Sequence, residues 1–396
     1  MAFISFLIAT LAFLLAIPTT VFFIEVVAAI ALAQQDYPVP PGNRPRQRVA
    51  VLLPAHNEST GILPTLADIT VQIRAGDRLL VVADNCTDDT AAVAAAAGAE
   101  VVDRNEPERK GKGYALACGL RHLGADPPEI VIIIDADCRV AEGVFDRLAA
   151  ACAATHRPVQ ALDLMTAPNG SSINVKVAEF AWRVKNWVRP LGLRALGLPC
   201  QLMGTGMALP WDVISSAHLA SGSIVEDLKL GLDLTVAGIP PIFCPFPGVS
   251  SDFPLTVEGT QRQRLRWEQG QIKAIVTMVP RLFFLAIVRA DLNLLALALD
   301  AAVPPLSLLA MLVMVMLAVA ATATLLGISS AAIFVSSASC VGLISGVFLA
   351  WLKYGRDILP RGSILLIFLY ACRKIPLYSK ILSRNSEWTR TDRGRV

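Results

Sequence analysis

Two acidic residues, with one residue between them, follow a strongly apolar run in the first half of the chain. The run covers residues 130–134, and Asp135-Ala136-Asp137 comes directly after it. Mg²⁺ and Mn²⁺ take oxygen ligands, usually one or two carboxylates together with phosphate oxygens. Most isolated pairs of this kind are ordinary loop residues, but a buried strand ahead of them would direct these two into a ligand cleft. The triplet therefore predicts a divalent cation site, with Asp137 as the direct ligand.

Further along the chain, an acidic pair and an arginine have the chemistry that group transfer needs. Glu226 and Asp227 are adjacent, and the stretch Gln-Arg-Gln-Arg-Leu-Arg-Trp gives Gln263, Arg266 and Trp267 in a Q-x-x-R-W pattern. A carboxylate can take a proton from an attacking hydroxyl group, and a guanidinium with five donors suits a departing diphosphate. Structural explanations stay open beside these, because acidic residues favour the first turn of a helix and an amphipathic helix often buries a Trp.

The elements that would position these residues alternate between short strands and longer helices. Runs rich in β-branched residues predict buried strands at residues 49–53, 79–83, 100–103 and 130–134. Apolar spacing predicts helices at residues 62–73, 87–97, 113–123 and 144–153, the second with capping residues in Thr87-Asp88-Asp89. This alternation predicts an α/β fold with a parallel sheet covered on both faces.

Parallel sheets of this kind bind ligands beyond the carboxyl ends of their strands. By that rule three segments belong to the site: residues 54–58, the pair Asp84 and Asn85, and residues 135–137. The cation site and two further loops are therefore expected at one edge of the sheet.

The composition predicts a membrane protein that also has a globular domain. Of 396 residues, 54% are hydrophobic and only 17% are charged, whereas charged residues make up about 25% of soluble proteins. The apolar excess is concentrated in residues 1–33 and 303–351. The net charge of +3 is too small to predict a nucleic-acid partner, and basic residues beside apolar segments fit the headgroups of a lipid bilayer better.

The apolar amino terminus, residues 1–33, is either a cleaved secretory signal or a retained transmembrane helix. Ala31-Leu32-Ala33 imitates a signal-peptidase site, but secretory signals begin with positive charge and have an apolar run of about 7 to 15 residues. This segment begins without Lys or Arg and exceeds the about 20 residues that span a bilayer, so retention is preferred. Arginines within and just after a linker at residues 34–47 predict that this flank is cytosolic.

The carboxyl-terminal part agrees with that orientation. Residues 303–352 predict two transmembrane helices, and basic residues after them mark a return to the cytosol. Residues 276–302 predict an interfacial helix, and residues 353–396 predict an interfacial segment with a basic cytosolic tail. The domain at residues 48–275 is therefore expected in the cytosol, within a multi-pass protein of the inner (plasma) membrane.

Two polar features allow more than one interpretation. Residues 174–198 mix basic and aromatic side chains, which suits a helix on the membrane surface or a helix packed on the sheet with a solvated basic face. Asp300, ahead of Pro304 and Pro305, is either a buried polar site or a helix-end residue. The second interpretation of Asp300 is preferred.

Six motifs, in this order, resemble those of the family-2 glycosyltransferases, the inverting, membrane-associated group that includes cellulose, chitin and hyaluronan synthases and enzymes of bacterial exopolysaccharide assembly. The resemblance covers about residues 48–271. The motifs are Pro54-Ala55-His56-Asn57-Glu58, Asp84-Asn85-Cys86-Thr87-Asp88-Asp89-Thr90, Lys110-Gly111-Lys112-Gly113-Tyr114-Ala115-Leu116, Asp135-Ala136-Asp137, Glu226-Asp227 and the stretch from Gln263 to Trp267. The resemblance implies a nucleotide-sugar-binding parallel-sheet domain of the GT-A type, flanked by transmembrane and interfacial helices.

The resemblance also implies a role for each motif. Asp227 would be the catalytic base, with Glu226 beside it, and Asp137 would hold Mg²⁺ or Mn²⁺. The residues implied in nucleotide-sugar binding are Glu58, Asp84, Lys112, Asp135 and Arg266. Those implied in acceptor binding are Gln263, Trp267 and, in a glycine-rich loop that allows close approach of a sugar, Gly204 and Thr205.

Together these features predict a metal-dependent inverting glycosyltransferase (a hexosyltransferase). It would move a sugar from a nucleotide sugar, expected to be UDP-linked, to a lipid-linked or membrane-held glycan in polysaccharide assembly. The Phe-x-Val-Thr gating segment of cellulose-synthase-like enzymes is not visible after the Q-x-x-R-W pattern, which favours stepwise addition over processive synthesis of a β-linked polysaccharide. A non-catalytic nucleotide-sugar-binding membrane subunit is a third possibility, disfavoured because both the base and the metal-ligand positions are filled.

Overall fold

The computed structural model describes residues 1–32, 46–220, 225–254 and 257–363, without the side chains of 247, 257–262 and 264. Most of the predicted linker and most of the predicted interfacial segment and basic tail lie outside the described residues. The described residues form two compact units: the sheet unit, with residues 46–166 and 198–260, and the helical unit, with residues 1–32, 167–197 and 261–363. The predicted domain at residues 48–275 is thus divided between them.

The chain forms eight strands and fourteen α-helices within the described residues. The strands are β1 Val49–Ala55, β2 Arg78–Asp84, β3 Glu100–Arg104, β4 Ile130–Ile133, β5 Arg139–Val140, β6 Val159–Thr166, β7 Met207–Pro210 and β8 Ile242–Asp252. The helices are α1 Ala2–Ala31, α2 Ile62–Thr70, α3 Thr90–Ala96, α4 Lys112–Leu123, α5 Val144–Thr155, α6 Ile173–Arg183, α7 Arg189–Ala195, α8 Trp211–Ser215, α9 Glu226–Val236, α10 Val257–Thr277, α11 Val279–Arg289, α12 Leu292–Ala302, α13 Leu306–Leu325 and α14 Ala331–Tyr354. A π-helical turn, Val184–Val188, joins α6 to α7.

One mixed sheet carries the sheet unit, in the order β3-β2-β1-β4-β7-β6-β8-β5. The four strands predicted from the sequence are β1 to β4, and they are parallel to one another as expected. The sheet as a whole is not parallel, because β7 runs antiparallel to β4 and β6, and β5 runs antiparallel to β8. Met207 at the start of β7 pairs with Ile133 at the end of β4. The chain therefore enters β7 at the edge where β4 ends.

Helices cover both faces of the sheet, as the near-continuous apolar strands predict. Alternate residues of β1 point to opposite faces. Val51 and Leu53 pack with the buried residues of α2 and α5, whereas Leu52 packs with Leu116 and Leu120 of α4. These two apolar layers fix the ends of the parallel strands.

The helical unit contains three helices that are long and apolar enough to cross a membrane, namely α1, α13 and α14. They match the spans predicted at residues 1–33 and 303–352. The segment Leu265–Thr277 and α11 form a pair bent by 41° that would pass the same test as one broken span. The predicted single helix at residues 276–302 is two helices, because Ala290 is left-handed (φ 49°) and Asp291 caps α12 by accepting from the N–H groups of Asn293 and Leu294.

A buried ionic cluster joins three elements of the helical unit. Arg189 on α7 donates to Glu25 of α1 at 2.6 Å and to the carboxylate of Asp300 on α12, and all three residues are buried. The preferred interpretation of Asp300 as a helix-end residue is therefore wrong. The partners lie far from Asp300 in sequence and meet it because α7 packs closely on α1. A β-carbon at Gly192 would lie only 1.9 Å from the carbonyl oxygen of Glu25.

The basic and aromatic segment at residues 174–198 forms α6, the π-helical turn and α7, and it belongs mainly to the helical unit. Phe180 and Val188 are buried, whereas Lys185 is exposed. Arg189, another basic residue of the segment, is buried, and the two interpretations of the segment stay predictions.

Candidate functional site

The loops after β1 and β2 are tied together at the carboxyl edge of the sheet. The ring Nδ1 of His56 donates to the carbonyl oxygen of Asp84 across 2.6 Å. Asn57 and Asn85 both adopt left-handed backbone conformations (φ 54° and 51°), which Asn tolerates better than most residues. Glu58 stands in the turn ahead of α2, and its backbone N–H donates to Oγ1 of Thr90 at 2.8 Å. These two loops are therefore held in one arrangement, as the sheet rule predicts.

Lys112 brings the loop after β4 together with the glycine-rich loop ahead of β7. Its ammonium group donates to the carboxylate of Asp135 and, at 2.8 Å, to the carbonyl oxygen of Gly204. The N–H of Asp135 donates to Oγ1 of Thr205 at 3.1 Å. Gly111, with a φ of 129°, turns the chain into α4 so that Lys112 begins that helix. Four of the predicted site residues are thus in direct contact.

Asp227 lies beside the same loop. A β-carbon at Gly204 would lie 3.2 Å from Oδ2 of Asp227 and 3.3 Å from Nζ of Lys112. Gly204 also has a left-handed φ of 91°, so only glycine fits the conformation and the space without strain. Helix α9 begins at Glu226, so both Glu226 and Asp227 stand in its first turn. The helix-terminal and functional interpretations of this acidic pair are compatible.

The charges of this cluster shift one another's protonation. Burial and the adjacent charge of Asp227 raise the pKa of Glu226 to about 7, although Lys112 opposes the shift. Burial disfavours the charged form of Lys112, but the negative charges of Asp135 and Glu226 outweigh it and raise the pKa of that ammonium group. Lys112 therefore stays charged, whereas Glu226 exchanges its proton near neutral pH.

The residues after β4 suit a divalent cation that also binds phosphate. Ala136 and Cys138 are buried, whereas Asp135 and Asp137 are half-exposed, so both carboxylates lie on the accessible side of the chain. No group of three or more His, Cys, Asp or Glu side chains within the described ranges could hold a metal. One or two carboxylates are what Mg²⁺ or Mn²⁺ takes when phosphate oxygens complete its shell. The donor set fits such an ion.

Arg104, which the sequence reasoning missed, contacts the predicted nucleotide-binding residue Asp84. Asp84 ends β2 and Arg104 ends β3, and the two are cross-strand partners. The guanidinium group of Arg104 forms a buried ion pair with the carboxylate of Asp84. Aligning the ends of the two predicted neighbouring strands would have placed Arg104 beside Asp84.

The Q-x-x-R-W residues lie on α10 within the helical unit. Gln263 is buried, and the ring of Trp267 packs against that of Trp182, with 4.7 Å between centroids. Arg266 is half-exposed. The roles predicted for Gln263, Arg266 and Trp267 stay predictions.

Comparisons with known proteins found relatives over part of this chain. An uncharacterized glycosyltransferase of Mycobacterium tuberculosis is 44% identical over 102 residues, which is 26% of this chain and 42% of that protein. Glucosyl-3-phosphoglycerate synthase of the same organism is 39% identical over 95 residues, which is 22% of this chain and 28% of the synthase. The match therefore spans less than half the length of either relative.

A solved structure resembles nearly the whole chain. It is the mannosyltransferase PcManGT from Pyrobaculum calidifontis in complex with GDP-Man and Mn²⁺, with a TM-score of 0.51 and 17% identity, and the match covers 93% of this chain and 98% of that one. This likeness concerns the fold. The family described as "Glycosyltransferase like family 2" matches residues 45–270, which is more than half of the sequence. The chain belongs to this glycosyltransferase family.

Proposed function

We propose that this protein is a metal-dependent inverting glycosyltransferase that moves a hexose from a nucleoside diphosphate sugar to a membrane-held acceptor. The observation that carries the proposal is the meeting of Lys112, Asp135, Gly204 and Asp227 at the carboxyl edge of the sheet. Family membership supports the reaction class. The half-exposed Asp137 two residues after Asp135 supports the need for a cation.

The loops that follow β1, β2 and β4 would bind the nucleotide-sugar donor. Asp137 would hold Mg²⁺ or Mn²⁺ together with the diphosphate, and the bound ion would neutralise charge on the leaving group. Asp135 and Lys112 would bind the nucleotide sugar. Lys112 holds Asp135 through their ion pair. Asp84 and Glu58 would bind the nucleoside, which we take to be uridine. The fold shared with a mannosyltransferase that was solved with Mn²⁺ is compatible with this assignment.

Asp227 would take the proton from the acceptor hydroxyl group. The hydroxyl oxygen forms a bond to the anomeric carbon from the side opposite the diphosphate, and the bond from that carbon to the diphosphate oxygen breaks. The bonding pair leaves with the nucleoside diphosphate, so the configuration inverts in one displacement. A side chain at position 204 would crowd the proposed base, since a β-carbon there would lie 3.2 Å from Oδ2 of Asp227.

The Q-x-x-R-W residues complete the proposal through their motif. Arg266 would stabilise negative charge on the departing diphosphate, since a planar guanidinium binds two oxygens at once. Trp267 would offer an aromatic face to the acceptor sugar and Gln263 a hydrogen bond. With Gly204 and Thr205 they form the proposed acceptor-binding set.

The acceptor we propose is a lipid-linked or membrane-held glycan in polysaccharide assembly, extended by stepwise addition. Three helices long and apolar enough to cross a membrane support a membrane location. Under the positive-inside rule the sheet unit would face the cytosol beneath the inner (plasma) membrane. A lipid-held acceptor would diffuse in the same bilayer.

A screen of nucleotide sugars tests this function. The full chain in detergent is incubated with Mn²⁺, membrane lipid extract and one UDP- or GDP-sugar at a time, and released nucleoside diphosphate is measured by mass spectrometry. We expect release with one donor class, its loss on chelation, and a product one sugar longer. A ladder of products would contradict stepwise addition, and no release with any donor would contradict the function itself.

A further inference from the structure

Arg104 is the buried partner of the residue proposed to bind the nucleoside. It ends β3 directly opposite Asp84, which ends β2. The guanidinium group donates to Oδ1 of Asp84, and both residues are buried. The backbone agrees with this pairing, since the N–H of Asn85 donates to the carbonyl oxygen of Arg104 at 2.6 Å. The ion pair thus lies at the carboxyl ends of β2 and β3, where the loops after these strands begin.

The guanidinium group of Arg104 is held by contacts on several sides. It donates to the carbonyl oxygen of Arg109 at 2.8 Å and to Glu106 at 3.0 Å. Its carbon lies 5.6 Å from the centre of the Tyr114 ring, within the range of a cation–π contact. Tyr114 stands two residues after Lys112 in the first turn of α4. Arg104 therefore links Asp84 to the turn that carries Lys112.

The two carboxylate oxygens of Asp84 have different contacts. Oδ1 accepts from Arg104 and, at 2.9 Å, from the side-chain amide of Asn85. Within the part of the chain that the structure describes, no side chain donates to Oδ2. Burial raises the pKa of Asp84, and the charge of Arg104 opposes that shift. Arg104 therefore favours the ionised carboxylate, which can only accept hydrogen bonds.

We infer that Arg104 is a positioning residue for base recognition, which orients Asp84 so that Oδ2 accepts from the ring N–H of a nucleoside base. Uracil carries such an N–H at N3 and guanine at N1, whereas cytosine has an acceptor at N3. An ionised, oriented carboxylate therefore binds the first two bases and repels the third. This inference rests on the proposed function, in which Asp84 binds the nucleoside.

Replacing Arg104 changes the hydrogen bonds that Asp84 can form with a base. In Arg104→Met the guanidinium charge is gone, so burial favours the neutral carboxyl group, which can donate as well as accept. The variant should lose affinity for UDP and tolerate CDP. Arg104→Lys keeps a positive charge but loses the planar, multiple contacts, so it should retain part of the preference.

The test is binding of UDP, GDP and CDP to the full chain in detergent with Mn²⁺, measured by calorimetry. Wild type should bind UDP or GDP more tightly than CDP. The nucleotide that binds most tightly shows whether the preferred base is uracil or guanine. Arg104→Met should lower that preference by about tenfold or more, since a lost bond to a charged group costs at least this much. Arg104→Lys should lie between them.

Arg78 supplies the matched control. It pairs with Glu100 at 2.6 Å near the opposite ends of the same two strands, so Arg78→Met also removes an ion pair between β2 and β3. It should leave the base preference unchanged. An Arg104→Met protein that folds and keeps the wild-type preference would overturn the inference alone, as would an equal loss in Arg78→Met. Wild type that binds none of the three nucleotides would overturn the proposed function and the inference with it.

Discussion

Lys112 and Asp135 form an ion pair at the carboxyl edge of the sheet, and the same ammonium group donates to the carbonyl oxygen of Gly204 at 2.8 Å. One side chain thus fixes the carboxylate proposed to lie beside the cation and the loop proposed to meet the acceptor. Asp135 and Thr205, the neighbour of Gly204 in its loop, stand 70 positions apart in the chain. Lys112 therefore joins the two loops, together with the hydrogen bond from the N–H of Asp135 to Oγ1 of Thr205.

Lys112→Met should lower kcat/KM for transfer by about 10²-fold, because misplacement of reacting groups by about 1 Å costs that much. Asp135 and the Gly204 loop would each lose a charged partner. Initial rates of nucleoside diphosphate release measure the effect. Lys229→Met is the control, since the ammonium group of Lys229 forms an exposed pair with Asp233, and this variant should remain active. Wild-type rates in Lys112→Met would remove Lys112 from the account.

Gly204→Ala should abolish most transfer through a steric effect on Asp227. The new methyl group would lie 3.2 Å from Oδ2 of Asp227 in a backbone conformation that disfavours alanine. Gly143→Ala separates the two causes, since Gly143 also has a left-handed φ (75°) but, among the described residues, no atom lies within 4 Å of the added carbon. Both variants should lose about 1 to 3 kcal/mol of stability. If Gly143→Ala lost transfer equally, crowding of the base would be the wrong explanation.

The pKa of Glu226, about 7, predicts a pH dependence of stability. The folded protein keeps the proton of Glu226 at pH values where an unfolded chain has lost it, so the free energy of unfolding falls as the pH rises from the ordinary glutamate pKa to about 7. Glu226→Gln has no proton to release there. With a chelator present, its melting temperature should fall less than that of wild type between about pH 5 and 8. If the melting temperatures of Glu226→Gln and wild type changed equally with pH, the raised pKa of Glu226 would be contradicted.

Arg189→Met should destabilise the protein strongly, because it leaves the buried carboxylates of Glu25 and Asp300 without their common partner. Breaking a buried pair in this way costs about 3 to 5 kcal/mol. Thermal unfolding in detergent measures the loss. Arg74→Met, which removes a half-exposed pair with Asp146, should cost at most about 1 kcal/mol. Equal losses of stability in the two variants would show that the buried cluster stabilises the protein no more than an exposed ion pair does.

The sequence predicted the parallel half of the sheet because its strands are continuous apolar runs. It missed β5 to β8, and for β7 and β8 the reasons are local. Met207–Pro210 is short and ends in proline, and Ile242–Asp252 contains two prolines and a glycine, which are typical of turns rather than strands. The antiparallel pairing of β7 with β4 and the parallel pairing of β8 with β6 are decided by tertiary contacts, so this part of the sheet could not be predicted from local pattern.

The same limit applies to the site. Lys112, Asp135 and Asp227 could be named from their motifs, since each stands at the start of a helix or the end of a strand. The partnership of Arg189 with Glu25 and Asp300 joins residues more than a hundred positions apart, and no periodicity reports such a contact. Arg104 stands between these cases, because aligning the ends of β2 and β3 puts it beside Asp84.

The most direct test of the central claim compares Asp227→Asn with wild type and with Asp233→Asn, a control on the exposed side of the same helix. Binding of the nucleotide sugar and its transfer are measured on the same preparations with Mn²⁺. We expect Asp227→Asn to bind the donor as wild type does and to lose transfer by about 10² to 10⁴-fold, while Asp233→Asn keeps both. Unchanged transfer by Asp227→Asn would contradict the account.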